Sequence, residues 1–321
     1  MKLSDENFSD LVQALKQAGT AVVITHEFPD GDAAGSIAGC CHLLKSAFPS
    51  LEVSVYCKTP VPENYDYLQI EKLPHADLSL RYDVVLVLDC GNPGRTGEKS
   101  LPDTGLSVNI DHHADNSMFG DLNYVYPQSS STSEILAVLG RRLLGITLPD
   151  RISEALFTGI LTDTGGFRFS STTSFTHEIA AMLYQSSGVD FGSLIEKVYF
   201  EEPFAKQKLL ARILTSMEQS CGICFSHISS ADWEETGATS KMVEGLVNQM
   251  VGIQGIIVAV LFQELPGIVK VSFRSKGKVD CQVLAGRFGG GGHSQAAGAK
   301  IQGLLKDIEP QVLKFVRETV K

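Results

Sequence analysis

A chain of 321 residues with a formal charge of -10, 43% hydrophobic and 20% charged, reads as an ordinary globular protein long enough for two cores. The acidic balance excludes a protein that coats long nucleic acid, since such binding is driven by phosphate neutralisation. Seven cysteines, an odd number, read as small buried hydrophobes rather than a disulfide framework, which predicts a cytoplasmic setting.

In chain order, Leu3, Phe8, Leu11, Val12 and Leu15 recur at helical spacing, without the basic flank and apolar run of a signal peptide, and no membrane span is predicted. The first half then alternates short apolar runs with amphipathic stretches. That is the pattern of an α/β fold, a mainly parallel sheet flanked by helices. Strands are predicted over 21–25, 53–56, 84–88 and 106–110, and helices over 33–47, 134–144, 151–161 and 175–185. The third strand is apolar throughout, so it is expected at the centre of the sheet with both faces covered. Ser131 and Glu134 have the spacing of a capping box.

A charged helical stretch over 189–216 reads as a connector between a domain at 1–188 and another at 217–321. In the second, strands over 256–262 and 269–273 and helices over 241–250, 279–285 and 304–320 predict a smaller α+β domain. From Lys270 to Lys300 there are six bases and one acid, so an acidic chain has one basic stretch.

Five polar clusters fall at the predicted ends of these elements: His26-Glu27-Phe28-Pro29-Asp30-Gly31-Asp32, Asp89, Asp111-His112-His113, Asp163, and Gly289 to Gly292 followed by His293. Loops beyond the carboxyl ends of parallel strands are where α/β sheets bind ligands, so the first four have one meeting point. Four carboxylates brought together there are costly unless cations sit between them. Mixed carboxylate and imidazole ligation points to two divalent ions, with manganese the first choice and magnesium, cobalt and iron left open. Consecutive glycines are expected to form a concave nest of N–H groups for a phosphate, with Gly290, Gly291, Gly292 and His293 as donors. Arg274 adds a planar guanidinium, and Arg168 is balanced between a phosphate contact and a structural salt bridge. Cys221 and Cys224 read as residues on opposite faces of a strand rather than half of a zinc site.

The order His26-x-x-x-Asp30-x-Asp32, Asp89, Asp111-His112-His113 and Asp163 resembles the DHH phosphoesterase superfamily. Asn109 to His113, Thr162 to Phe169, and Gly289 to Gly298 narrow the resemblance to the bacterial nanoRNase and pAp-phosphatase branch with its DHH-associated C-terminal domain. The resemblance implies one metal held by His26, Asp30 and Asp89, and a second held by Asp32, Asp89, His112 and Asp163, with Asp89 bridging. It also implies that Asp111 orients a neighbouring imidazole and that His113 faces the substrate phosphate or the leaving oxygen. Cys281-Gln282 departs from the Asn that relatives often carry there, which touches only fine substrate contacts.

The expected activity is hydrolysis of very short RNA to nucleoside 5′-monophosphates and of 3′-phosphoadenosine 5′-phosphate (pAp) to AMP. A phosphodiesterase of pApA or cyclic di-AMP is the runner-up, and a metal-free nucleotide sensor is the reading from another class. The expected partners are short RNA or small nucleotides and no membrane, with a homodimer left open.

Overall fold

The computed structural model describes residues 5–186, 188–243 and 245–320, which divide into two compact units at Glu201/Glu202. The division falls inside the stretch read as a connector.

The first unit runs α1 (Ser9–Gln17), β1 (Thr20–Ile24), α2 (Gly31–Ala47), β2 (Glu52–Tyr56), β3 (Tyr82–Leu88), β4 (Thr104–Asp111), β5 (Leu122–Val125), α3 (Thr132–Leu144), α4 (Asp150–Asp163), α5 (Ser174–Leu183) and α6 (Phe191–Tyr199). Its five strands are all parallel, in the order β2-β1-β3-β4-β5. The apolar strand β3 is therefore the central one, as its composition requires. Val84, Leu86 and Leu88 face the larger core beneath the helices, while Tyr82, Val85 and Val87 face a smaller cluster closed by Ala76, Leu78, Leu101 and Phe119. In α1, Phe8 at the N-cap, Leu11 and Leu15 are buried as the spacing predicts, and Leu3 lies outside the described residues.

Helix α2 is almost wholly buried, and glycines let α4 approach its backbone. A Cβ on Gly35 would lie 2.5 Å from Ala155 O, and one on Gly159 would lie 1.9 Å from Ser133 Oγ and 2.6 Å from Asp32 Oδ1. Only glycine permits that approach, which carries the end of α4 to the start of α2. The capping box at α3 is half formed. Ser131 accepts the Glu134 N–H, but the Glu134 carboxylate turns to accept the Ser130 hydroxyl at 2.8 Å.

The second unit runs α7 (Phe204–Ser216), β6 (Glu218–Ser220), β7 (Ile223–Ile228), α8 (Ser230–Thr236), α9 (Leu246–Val251), β8 (Val258–Leu265), β9 (Ile268–Ser275), α10 (Cys281–Gly286), β10 (Gly291–His293), β11 (Ala296–Gln302) and α11 (Leu305–Thr319). Its sheet has the order β10-β11-β9-β8-β7-β6, and only the β7–β8 pair is parallel. Helices α10 and α11 contribute to the core on one face, while α7 and α9 contribute to that on the other. The helix predicted over 241–250 is broken: Ser240–Val243 is a 3-10 turn, α9 starts at Leu246 after Gly245 at φ 82, and Glu244 lies outside the described residues. Cys221 sits in the β6–β7 turn at φ 51, not in a strand, because the chain reverses there. Exposed Cys221 and buried Cys224 are thus set apart by a hairpin turn rather than by the alternation expected.

Candidate metal centre

The C-terminal ends of β1, β3 and β4 deliver the first donors. His26 leaves β1, and Asp30 caps α2 by accepting the Asp32 and Ala33 N–H groups at 3.1 Å each. Asp32 follows in the first turn. Asp89 comes directly after β3 with φ 56, a left-handed conformation that costs a non-glycine residue about 1–2 kcal/mol. Asp111 ends β4, His112 and His113 follow it, and Asp163 ends α4.

These side chains converge. His26 Nε2 lies 3.5 Å from Asp89 Oδ2 and 3.9 Å from Asp30 Oδ1, and His112 Nε2 lies 3.7 Å from Asp89 Oδ1 and 3.3 Å from Asp163 Oδ2. Donor atoms of His26, Asp30 and Asp89 lie within 4.8 Å of one another, as do those of Asp32, His112 and Asp163, and those of Asp89, His112 and His113. Asp89 belongs to two of the three groups. Asp111 belongs to none; it is fully buried, accepts from His113 Nδ1 at 2.6 Å, and receives Asn116 Nδ2 at 2.6 Å.

The electrostatics match a centre built around cations. Burial lowers the His26 and His112 imidazoles, yet neighbouring carboxylates outweigh it and hold both up at about 9: Asp89 and Asp30 for His26, and Asp163, Asp89 and Asp32 for His112. Burial and then the Asp89 charge push Asp32 up to about 7, and burial and its acidic neighbours raise Asp163 well above the carboxylate range despite His112. For Asp89 burial is outweighed by His26, His113 and His112, which hold it ionised. Protons thus take the positions that divalent ions would fill.

The hydrogen-bond directions make the fit specific. His26 Nδ1–H donates to Glu27 O at 2.9 Å, so Nε2, which is buried and has no hydrogen-bond partner, is the ring nitrogen left to trade its proton for a metal. An imidazole fixed in this way by a carbonyl is the arrangement of a metal ligand. The residues present fit divalent ions of the oxygen- and imidazole-preferring kind.

Several contributors carry no local sequence signal. The Thr132 and Ser133 N–H groups at the start of α3 donate to the two oxygens of Asp32 at 2.7 and 3.0 Å, and Thr132 Oγ1 donates to Asp89 Oδ1 at 3.2 Å. These bonds span 43 to 101 residues. Arg95 Nη1 donates to His113 Nε2 at 3.1 Å, which together with Asp111 fixes the proton of His113 on Nδ1. Arg95 lies just past Asp89, in the turn Pro93–Thr96, and the run Asp89 to Arg95 was the available hint.

The remaining predicted residues lie elsewhere. Arg168 is exposed, donates through Nε to Gly165 O at 2.5 Å and lies 6.0 Å from the Tyr199 ring centre, and among the described residues it forms no ion pair. The salt-bridge alternative is therefore replaced by a contact to the backbone turn after Asp163. In the second unit, Arg274 on β9 donates to Asn248 Oδ1 and Phe273 O at 3.0 Å each. Part of the glycine run is committed to backbone contacts. Gly289 and Gly290 N–H groups donate to Gly286 O and Ala285 O at the end of α10, and Gly291–His293 is strand β10. A Cβ on Gly290 would lie 2.1 Å from Gly298 O and one on Gly292 2.6 Å from Ala296 O, so glycine is imposed by contact with β11. Beside this edge lies a depression of about 410 Å³ lined by Lys270, Gly289, Gly290, Gly291, Gly298, Ala299 and Lys300. The side chain of His293 lies outside the described residues.

Carboxylates and imidazoles gathered at the C-terminal edge of a parallel sheet have the chemistry of a divalent-metal hydrolase. The chain belongs to the DHH family: the model of the DHH family N-terminal domain matches residues 20–160, and that of the DHHA1 domain matches residues 222–321. It is 33% identical to the bifunctional oligoribonuclease and PAP phosphatase NrnA of Thermus thermophilus, over 94% of this chain and 90% of that protein. The protein of the same name from Bacillus subtilis is 30% identical over 94% of this chain and 97% of its own length. An exopolyphosphatase-related protein from Bacteroides fragilis has the same fold, with a TM-score of 0.89 and 24% identity over 99% of this chain and 96% of that one.

Proposed function

We propose that this protein is a two-metal phosphoesterase that hydrolyses very short RNA to nucleoside 5′-monophosphates and removes the 3′-phosphate of pAp. The observation that supports the reading is that donor atoms of His26, Asp30 and Asp89, and those of Asp32, His112 and Asp163, lie within 4.8 Å of one another in each group, with Asp89 Oδ1 3.7 Å from His112 Nε2. Similarity to the Thermus and Bacillus proteins, whose names give both activities, supports the choice of substrate.

His26, Asp30 and Asp89 would hold one ion, and Asp32, Asp89, His112 and Asp163 the other. Divalent ions, when bound, supply Lewis acidity toward water and phosphate oxygens. Manganese is the ion proposed, because the donors mix carboxylate with imidazole and include no thiolate. The α3 N–H groups keep Asp32 aimed by occupying both of its oxygens. Asp111 holds the His113 proton on Nδ1, so His113 Nε2 accepts from Arg95 and steadies the guanidinium that is offered to the substrate phosphate or leaving oxygen. In the second unit, Arg274 and the basic depression beside β10 are assigned to the nucleotide and its phosphates. The substrates are small enough for a cytoplasmic enzyme acting without a membrane, and no described helix is long and apolar enough to cross one.

The test is a panel of pAp, pApA, cyclic di-AMP, pyrophosphate and RNA from two to about ten nucleotides, each with manganese and with magnesium. Turnover of pAp and the shortest RNA, pApA among it, above cyclic di-AMP and pyrophosphate is expected. Preferential turnover of cyclic di-AMP or pyrophosphate would reject this reading.

A further inference from the structure

Phe28 stands two residues from His26 and two from Asp30, so its Cα lies within about 7 Å of the Cα of each. Three features of it have no structural benefit in the first unit. It is 69% exposed and belongs to none of the hydrophobic clusters of the described residues. Its φ is 58, a left-handed conformation that an aromatic residue rarely takes. It also precedes Pro29, and the residue before a proline is ordinarily extended at negative φ. The conformation is pinned on both sides: Phe28 N–H donates to Thr59 Oγ1 at 2.7 Å, and Glu27 N–H donates to Arg95 O at 2.7 Å.

Another exposed aromatic side chain near the centre, by contrast, has a use in packing. The ring of Phe169, 49% exposed on the loop after Asp163, closes over Gly165, where a Cβ would lie 2.5 Å from its edge. Phe28 covers no such gap. A large aromatic surface is thus held in water, in a costly backbone conformation, between two donors of a charge-dense centre. Aromatic faces of this kind bind nucleobases, because every base presents a π-face and stacking requires no hydrogen-bond code.

We infer that Phe28 is a stacking platform for the base of the nucleotide whose phosphate is bound at the metal centre, and that it sets the preference for nucleotides over phosphates that lack a base. The inference rests on the phosphoesterase reading above and adds the element that makes that site select a nucleoside.

The experiment compares adenosine 3′,5′-bisphosphate with ribose 3′,5′-bisphosphate, which has the same phosphates and no base, using the full-length manganese-loaded protein. In Phe28→Ala the ratio of kcat/KM for the first substrate over the second should fall by a factor of roughly 5 to 150, the range for loss of one stacked base. Phe28→Trp should retain the ratio. Phe28→Asn, which tolerates a left-handed backbone, should lose the ratio while melting at or above the wild-type temperature, which separates loss of grip from loss of fold. An unchanged ratio in Phe28→Ala would overturn the stacking role while leaving phosphoester hydrolysis standing. A wild-type protein that cleaves neither bisphosphate would overturn the functional reading itself.

Discussion

The metal centre of the first unit and the glycine-rich edge of the second are both polar, but they are built on opposite principles. In the first, His26, Asp32, Asp89 and Asp111 are buried, and backbone or side-chain groups fix the direction of each one. In the second, Gly289 and Gly291 open onto space, and the bases Lys270 and Lys300 stand beside a shallow depression. Charges taken out of water must be matched almost atom for atom, so the centre tolerates little change. An exposed basic surface works through the number of its contacts, and single losses there are diluted by solvent.

The largest effect separating the two regions is expected from Asp89→Ala, which removes the carboxylate common to two donor groups. Turnover should be abolished and metal content should fall, while the protein stays folded because relief of repulsion on Asp32 and Asp163 offsets the lost attraction to His26, His112 and His113. Circular dichroism with elemental analysis checks both halves. Asp111→Asn comes next. It weakens the grip on His113 Nδ1 without removing a member of any donor group, so activity should drop about 10- to 100-fold with metal content nearly intact. Substantial loss of metal from that variant would move Asp111 into the ligand set.

Arg274→Ala tests the other region. Its predicted signature is a rise in KM for pAp of several-fold, with kcat and metal content changed far less, because the residue lies in the unit without the donors. Loss of bound metal would break the division of labour between the two units.

The smallest effect is a pH dependence confined to the first unit after metal removal. His26 and His112 titrate at about 9 when folded against 6.5 when free, so their stabilisation is complete below about 6.5 and is lost as pH rises through 9. Asp32, raised to about 7, acts in the same direction as it ionises, whereas depressed Asp89 loses its contribution only in strong acid. The metal-free protein should therefore melt a few degrees lower at pH 9 than at pH 6.5, and added manganese should flatten the difference. A melting temperature that rises over this interval without metal would contradict the assigned charges.

The same contrast explains what could be read in the sequence. His26, Asp30, Asp89 and the Asp111-His112-His113 run were legible because each follows an apolar strand whose pattern is local. The central place of β3 was legible for that reason too. Thr132 and Ser133 were not, since their bonds to Asp32 and Asp89 join segments 43 to 101 residues apart and no periodicity encodes them. The capping-box spacing at Ser131 and Glu134 marked the start of α3 correctly, and only the reciprocal half failed, because the Glu134 carboxylate accepts the Ser130 hydroxyl four residues back instead. The glycine run was visible, but its pairing with β11 was not. Whether such a run cradles an anion or pairs as a strand depends on what lies against it, and here Gly298 and Ala296 of β11 do.

The most direct test of a paired metal centre is calorimetric titration of manganese into the stripped protein, with pAp turnover measured on the same samples. Two ions per chain are predicted, with turnover appearing only as the second is filled and both lost in Asp89→Ala. Full turnover at one ion per chain or fewer, or in Asp89→Ala, would contradict it.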